Sequence, residues 1–179
     1  MRHLRTLALA LVATACATTP ADSTSAALDA ALADHHRSDA NRARDVYRHP
    51  KETLQFFGLR DDMVVLELWP GGGWYTEVLA PVLKDRGQLI AAHLDPAASA
   101  YAKRSRTAYD EKLAKDPDMY GKVKVVVLQP PSQYDLGPAN SVDMVLTFRN
   151  LHNWMQSGSL EQVFVDLTTA DEPAQEQAA

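Results

Sequence analysis

The segment MVVLELWPGGG, residues 63–73, decides the fold class. Its first seven residues form a nearly continuous apolar run with β-branched side chains, which is typical of a strand buried on both faces. Pro70 and three consecutive glycines then end the strand. Apolar residues recur at helical spacing between Trp74 and Asp85. The segment therefore predicts a buried strand, a tight glycine-rich loop and a helix.

Strands and helices continue to alternate after this unit. A strand followed by a helix and another strand forms a right-handed crossover between parallel strands. The sequence therefore predicts an α/β fold with a doubly wound parallel sheet of about four strands. Further strands are predicted over residues 88–94, 123–128 and 142–148, and helices over 97–115 and from the capping-box sequence at 159–162 to about residue 167.

The N-terminal residues 1–15 have the pattern of an export signal. Arg2 and Arg5 flank the start of a Leu- and Ala-rich run. This run is shorter than the roughly 20 residues that span a bilayer, and it fits a secretory signal peptide. The alternative is a buried N-terminal helix. Cys16 is the only cysteine and follows Ala13-Thr14-Ala15, a sequence that resembles a lipoprotein cleavage site.

We therefore expect an exported, periplasmic protein, attached to the outer membrane if Cys16 is lipidated; ordinary cleavage after an Ala-x-Ala site is the alternative. Beyond the signal peptide we expect a tether (Ala17 to Ser25) and a helical segment over residues 16–41, a core over 42–167, and a disordered polar tail over 168–179. The 179 residues have room for one domain. The formal net charge of −5 argues against nucleic acid as a partner.

The loop after the first predicted strand is the candidate binding site. In doubly wound sheets, ligands bind beyond the carboxyl ends of the central strands. Gly71, Gly72 and Gly73 lack Cβ atoms, so a ligand can approach the main chain closely. The next helix begins with free N–H groups that suit a carboxylate or a phosphate. The alternative is that the glycines only form a tight turn.

These residues resemble a known family. Residues 67–73, ELWPGGG, resemble the first motif of class I S-adenosylmethionine-dependent methyltransferases. Gly87-Gln88-Leu89-Ile90, residues 141–146 and residues 150–154 are similar to later motifs of that family. The likeness covers about residues 42–167, and it is strongest to a group of methyltransferase-like proteins that carry signal peptides. It implies a nucleotide-binding core with strand order 3-2-1-4, S-adenosylmethionine as cofactor and an unidentified methyl acceptor.

The resemblance also implies which residues contact the cofactor. The loop residues Gly71 and Gly73, together with Pro70 and Gly72, would form the floor of the cofactor site. Glu67 would lie near the methionine amino group. No metal ligand set is predicted, because His35 and His36 have no partners at ligand spacing.

The ribose and adenine contacts follow from the same resemblance. The position that normally holds both ribose hydroxyls falls on His93, with Asp95 two residues later. We prefer Asp95, because a carboxylate accepts two hydrogen bonds and a neutral imidazole accepts one. Gln129 lies where an adenine contact is common.

The sequence departs from the family pattern in two places. Trp69 replaces the first glycine of the motif, so we do not expect the loop to follow its usual path unchanged. Nothing after Leu167 resembles the fifth strand and hairpin of the family, so we expect a truncated chain whose fourth strand is an unpaired edge, through which an oligomer could form. Two functions are favoured: a methyltransferase, or a non-catalytic relic or ligand-binding module of the same fold. A nucleotide-sugar or dinucleotide binder is the third alternative, against which the glycine spacing argues, because no glycine follows Gly73 until Gly87.

No catalytic residue is assigned from the sequence. His152 lies in the loop behind the fourth predicted strand, and it is either a general base or a structural histidine. Four neighbours of His152 are candidates for ligand contact or for packing under the loop: Phe148, Arg149, Asn150 and Trp154.

Overall fold

The computed structural model describes residues 19–134, 136–138 and 140–168, with side chains to residue 165. The predicted signal peptide over residues 1–15, Cys16 and nearly all of the predicted tail lie outside the described residues. No helix in the described part of the chain is long and apolar enough to cross a membrane.

Four parallel strands form the sheet in the order β3-β2-β1-β4. The predicted α/β class, the parallel sheet and the strand order 3-2-1-4 are therefore confirmed. All four strands end at the same edge because they are parallel, and the first strand lies between the second and the fourth. The strands are β1 (Val64–Leu68), β2 (Gln88–His93), β3 (Lys124–Val127) and β4 (Met144–Thr147).

Helices connect the strands and precede the sheet. The described helices are α1 (Pro20–Ala33), α2 (Asp39–Arg42), α3 (Asp45–Arg48), α4 (Pro50–Phe56), α5 (Thr76–Leu83), α6 (Ala100–Lys115), α7 (Pro117–Tyr120), α8 (Leu151–Ser157) and α9 (Leu160–Thr168). The predicted final helix after Ser159 corresponds to α9.

The predicted tether is shorter than expected, because α1 already begins at Pro20. The backbone N–H of Asp22 donates to Oγ1 of Thr19 at 3.3 Å, so Thr19 caps the helix. A proline in the first turn and an acidic residue beside it both favour a helix start. Leu28 is fully buried, which stabilises a helix that the sequence alone made weakly amphipathic.

The core lies on both faces of the sheet, and β1 is buried between its two parts. One part joins β1 to the first, fourth and fifth helices, and it includes Leu28, Leu54, Val65, Val78 and Leu79. The other part joins β1 to the last two helices, and it includes Leu66, Leu68, Leu128, Trp154 and Val163. The loop after β1 is therefore held from both sides of the sheet.

Candidate functional site

The loop between β1 and α5 has a left-handed backbone at three positions. Trp69, Gly71 and Gly73 have φ values of 49°, 59° and 74°. A Cβ atom on Gly73 would lie 3.0 Å from the Tyr109 ring, so this position requires glycine for space as well as for conformation. The backbone of Trp69 therefore has the left-handed conformation that glycine favours.

The side chain of Trp69 is fixed by contacts on two sides. Its Nε1 donates to the carbonyl oxygen of Leu128 at 2.9 Å, just beyond β3. Its ring packs 5.2 Å from the ring of Trp154. Its backbone N–H donates to the carbonyl oxygen of Ala92 in β2 at 2.8 Å. These contacts offset the cost of a left-handed conformation, which is of order 1–3 kcal/mol for a residue other than glycine.

Two cavities open at the carboxyl edge of the sheet, one on each side of this loop. We call the first the arginine cavity, of about 360 Å³, because Arg44, Arg48 and Arg149 line it. We call the second the Gln129 cavity, of about 470 Å³. Both volumes fall in the usual range for small-molecule sites. The two cavities share three lining residues: Trp69, Gly71 and Asn150.

Glu67 lines the arginine cavity beneath the glycine loop. It lies in β1 and is almost completely buried. The hydroxyl of Thr76 donates to its Oε2 at 2.7 Å and lies 3.1 Å from Oη of Tyr109. Burial raises the pKa of Glu67 from 4.5 to about 7, against the opposing effects of the Thr76 hydrogen bond and the Lys112 charge. Glu67 is therefore a buried carboxyl group that a cationic ligand group would ionise.

His93 lines the Gln129 cavity, but both of its ring nitrogens have partners in the protein. Nδ1 accepts from the backbone N–H of Leu94 at 2.8 Å, so Nε2 carries the proton and donates to the carbonyl oxygen of Gly71 at 3.3 Å. Burial lowers the pKa of His93, which keeps the ring neutral at pH 7. His93 therefore supports the glycine loop, and its nitrogens are not free for ribose hydroxyls.

Asp95 follows β2 and Gln129 follows β3, and a hydrogen bond joins the two loops beside His93. Asp95 lines neither cavity, and its Oδ1 accepts from the backbone N–H of Ala97 at 2.8 Å. Oε1 of Gln129 accepts from the backbone N–H of Asp95 at 3.3 Å. Gln129 does line its cavity, and its amide nitrogen has no partner among the described residues. Gln129 therefore has a free donor for the predicted adenine contact. Asp95 could make the predicted ribose contact only if its loop moved.

Three basic side chains from two regions face the arginine cavity. Arg48 lies with its guanidinium carbon 4.4 Å from the Trp74 ring centroid. Burial lowers the pKa of Arg48, and the positive charges of Arg44 and Arg149 lower it further. Arg149 follows β4 with a left-handed φ of 65°.

The candidates behind β4 separate into structural residues and cavity residues. The Asn150 amide donates to the carbonyl oxygens of Leu68 and Trp69 at 3.1 and 3.2 Å, so it ties this segment to β1. Trp154 is fully buried and belongs to the core. His152 is exposed and lines the arginine cavity. Phe148 lines the same cavity, and its ring stacks on the ring of Tyr75 with centroids 3.6 Å apart.

Sequence reasoning missed the N-terminal contribution to the arginine cavity. Nε1 of Trp74 donates to the carbonyl oxygen of Asn41 at 3.0 Å, and the Asn41 amide donates to both carboxylate oxygens of Glu77 at 2.9 Å. Arg44 and Arg48 follow this anchor along the chain. Their spacing of four residues, which puts two side chains on one helical face, was the only available signal.

The buried charges around Glu77 hold this anchor in place. Lys112 Nζ lies 2.5 Å from Oε1 of Glu77, and Arg37 Nε lies 3.8 Å from Oε2. Arg37 also donates to both carboxylate oxygens of Asp45, at 2.6 and 2.8 Å. Within the described ranges, no group of three or more His, Cys, Asp or Glu side chains could hold a metal ion.

Comparison with known proteins gives only structural likenesses. No protein-family model matches the chain, and no curated protein matches it. A SAM-dependent methyltransferase from Aquifex aeolicus is 23% identical with a TM-score of 0.48, over 64% of this chain and 55% of that one. Cofactor-bound Rv0187 from MTB is 20% identical with a TM-score of 0.38, over 84% of this chain and 63% of that one. The chain thus spans less than two thirds of either structure's length.

Proposed function

We propose that this protein is an S-adenosylmethionine-dependent methyltransferase, with the cofactor bound across the glycine loop. The observation that carries the proposal is the position of buried Glu67 under a glycine loop that separates two cavities. The loop follows β1, between the neighbouring strands β2 and β4, where the strand order changes direction. Ligands of open α/β sheets bind at this switch point.

The residues of the Gln129 cavity fit the adenosine part of the cofactor. The cavity is lined by apolar residues and by uncharged polar groups, which include the free amide of Gln129 and the hydroxyl of Ser99. Ser99 caps α6 by accepting from the N–H of Ala102 at 3.0 Å, and its own hydroxyl hydrogen stays free to donate. These groups suit the acceptor nitrogens of a base and the oxygens of a ribose.

Glu67 fits the amino end of the cofactor. A buried carboxyl group with a pKa near 7 gains its charge when an ammonium group binds beside it, since an opposite charge favours the ionised form. The bound cofactor would supply a methyl group on a cationic sulfur. The protein's own contribution would be to orient cofactor and acceptor for an in-line approach and to exclude water.

Calorimetric titration of the full chain with S-adenosylhomocysteine tests the proposal. We expect micromolar binding that weakens about tenfold in Gly71→Ala, the equivalent of about 1.4 kcal/mol. Gly58→Ala is the matched control. Both glycines have positive φ, 59° and 77°, and neither has any atom near its missing Cβ, but only Gly71 lines the cavities. Gly58→Ala should thus cost similar stability and leave the affinity unchanged.

Asp95→Ala tests the ribose prediction separately, because Gln129 and the glycine loop remain intact in that variant.

The titration of the unchanged chain decides between the candidate functions. A chain that is folded by circular dichroism but does not bind S-adenosylhomocysteine would contradict the methyltransferase proposal. It would favour the alternative, a relic or binding module that keeps the fold without turnover.

A further inference from the structure

Two phenylalanine side chains are exposed side by side at the end of α4. Phe56 is 85% exposed and Phe57 is 47% exposed, and their ring centroids lie 5.7 Å apart. Single exposed apolar side chains are normal on a protein surface and need no explanation. Two rings in contact form a small apolar patch, whose burial against another apolar surface would be favourable. We call Phe56 and Phe57 the phenylalanine pair.

The phenylalanine pair lies at the amino edge of the sheet. A short segment joins Phe57 to Asp61, which comes just before β1, and the backbone N–H of Asp61 donates to Oγ1 of Thr24 in α1 at 3.0 Å. The glycine loop and both cavities lie at the opposite, carboxyl edge, because the strands are parallel. The five residues of β1 separate the two edges by roughly 15 Å.

The start of α1 lies at the same edge as the phenylalanine pair. Lys51 of α4 pairs with Asp29 of α1 at 2.6 Å. One turn later in α4, Gln55 donates to Oγ of Ser25, which lies one turn earlier in α1, at 3.3 Å. The two helices are therefore antiparallel, and the end of α4 lies beside the start of α1.

The residues that precede α1 are those expected to attach the chain to a membrane. Cys16 and the apolar run over residues 4–15 lie outside the described residues, and Thr19 caps α1. The three residue steps from Cys16 to Thr19 span at most about 10 Å, even when fully extended. A lipid on Cys16, as expected from the sequence, would therefore hold the amino edge of the sheet close to a bilayer.

The charged side chains near the phenylalanine pair are paired with one another. Arg60 pairs with Asp62 at 3.0 Å, and Arg86 pairs with Asp61 at 3.2 Å. The protein as a whole carries a formal net charge of −5. Attraction to anionic headgroups is therefore not expected at this edge, and contact with a bilayer would come from the apolar rings. Phenylalanine is among the residues that enter the boundary between headgroups and acyl chains.

We propose that the phenylalanine pair is a membrane-contact surface, through which the amino edge of the sheet rests on a lipid bilayer beside a lipidated Cys16. The glycine loop and its two cavities then face away from the bilayer, towards the aqueous phase. A methyl acceptor would reach them from that side, so it would be a water-soluble molecule and not a membrane lipid. This last step rests on the proposed function, whereas the membrane contact does not.

Photocrosslinking tests the contact. p-Benzoylphenylalanine replaces Phe56 in the full chain, which is expressed with its export signal, mixed with phosphatidylcholine vesicles and irradiated. Position 155 is the matched control, because Met155 is 65% exposed and lies in α8, which begins at the carboxyl edge. We expect about tenfold more lipid adduct at position 56, since a ring held in the bilayer interface stays among lipids and a side chain on the opposite edge does not.

Mass spectrometry of the adducts identifies what position 56 contacts. Equal lipid yields at positions 56 and 155, or no lipid adduct at position 56, would overturn the proposal. An adduct between position 56 and residues 4–15 of the chain, or a second copy, would also overturn it, because these would then cover the rings. Cys16→Ser should lower the lipid yield at position 56 severalfold, since two rings alone hold a bilayer weakly. An unchanged yield would contradict the attachment through Cys16.

This proposal and the proposed function fail separately. A lipid adduct at position 56, in a chain that does not bind S-adenosylhomocysteine, would support the membrane contact and contradict the methyltransferase. S-adenosylhomocysteine binding without a lipid adduct at position 56 would do the opposite.

Discussion

The two cavities beside the glycine loop share one wall but differ in chemistry. The Gln129 cavity is lined by apolar and uncharged polar side chains, with His93 held neutral by burial. The arginine cavity contains three arginine side chains and a buried carboxyl group. Gly71, Trp69 and Asn150 belong to both.

This difference has a structural origin. The Gln129 cavity is built from segments that follow β2 and β3, and their polar groups are largely tied to nearby backbone. The arginine cavity depends on a distant segment, the second and third helices, which is attached through Glu77. One side of the loop is therefore set by the sheet itself, and the other by a polar anchor that can be removed on its own.

Removing this anchor should have the largest effect. Glu77→Gln leaves Lys112 and Arg37 without the full charge of a partner that is 2% exposed. We expect the free energy of unfolding to fall by about 3 kcal/mol, as for other broken buried ion pairs. Urea denaturation measures this change, and Glu111→Gln on the exposed surface of α6 should leave the stability nearly unchanged.

The same variant should also separate the two cavities. Glu67, which is proposed to hold the amino end of the cofactor, lines the arginine cavity together with Arg44 and Arg48. S-adenosylhomocysteine affinity should therefore fall severalfold, whereas the affinity for adenosine, which fits the Gln129 cavity alone, should stay within about twofold, a change of about 0.4 kcal/mol. An equal loss of both affinities would show that the anchor holds the whole site, contrary to the distinction drawn between the cavities.

The residues that the sheet strands position could be predicted from the sequence. The apolar run of β1 and the glycines after it predicted the strand, the loop and the position of Glu67, because a doubly buried strand depends only on its own composition. The strand order came from resemblance and is confirmed. Gln129 and His93 line the same cavity because His93 ends β2 and Gln129 follows the neighbouring parallel strand β3.

The arginines of the arginine cavity could not be placed there from the sequence. Arg44 and Arg48 reach the site because nearby Asn41 is hydrogen-bonded to Trp74 and Glu77, which lie more than thirty residues further along the chain. Such long-range polar pairing leaves no periodic signal. The start of α1 was missed for a different reason: its stability comes from burying Leu28 against the core rather than from its own amphipathicity.

The pH dependence of stability should report on Glu67, the buried carboxyl group of the arginine cavity. Its pKa is about 7 in the folded protein and 4.5 in its ordinary state. Between these pH values the folded protein holds a proton that the unfolded chain has lost. The stabilising contribution of Glu67 to the free energy of unfolding is therefore full below pH 4.5 and is lost as the pH rises through 7. Glu67→Gln should therefore match the protein at pH 4.5 and exceed its stability by up to about 3 kcal/mol at pH 8.

The difference between the two pH profiles is the useful quantity. His93 changes stability in the opposite direction, since a histidine whose pKa is lowered by burial destabilises the fold as the pH falls. That contribution is present in both proteins and cancels in the difference. Glu111→Gln should show no such pH dependence. A Glu67→Gln difference that does not change between pH 4.5 and 8 would show that the carboxyl group is ionised throughout.

The smallest expected effect concerns the wall that both cavities share. Trp69→Gly and Trp69→Ala both remove the indole and its hydrogen bond to Leu128, but only the alanine variant keeps a Cβ atom at a φ of 49°. The glycine variant should therefore be the more stable by about 1 kcal/mol, the usual cost of left-handed backbone.

Trp74 provides the reverse test. Trp74 is buried like many core residues, and its backbone is not left-handed. Its alanine variant should therefore be more stable than its glycine variant. The two tryptophans also differ in position, because Trp74 lines only the arginine cavity. Removing Trp74 should therefore weaken S-adenosylhomocysteine but leave the affinity for adenosine unchanged, whereas removing Trp69 should weaken both. If removing Trp69 left the affinity for adenosine unchanged, the loop would not be a wall common to the two cavities.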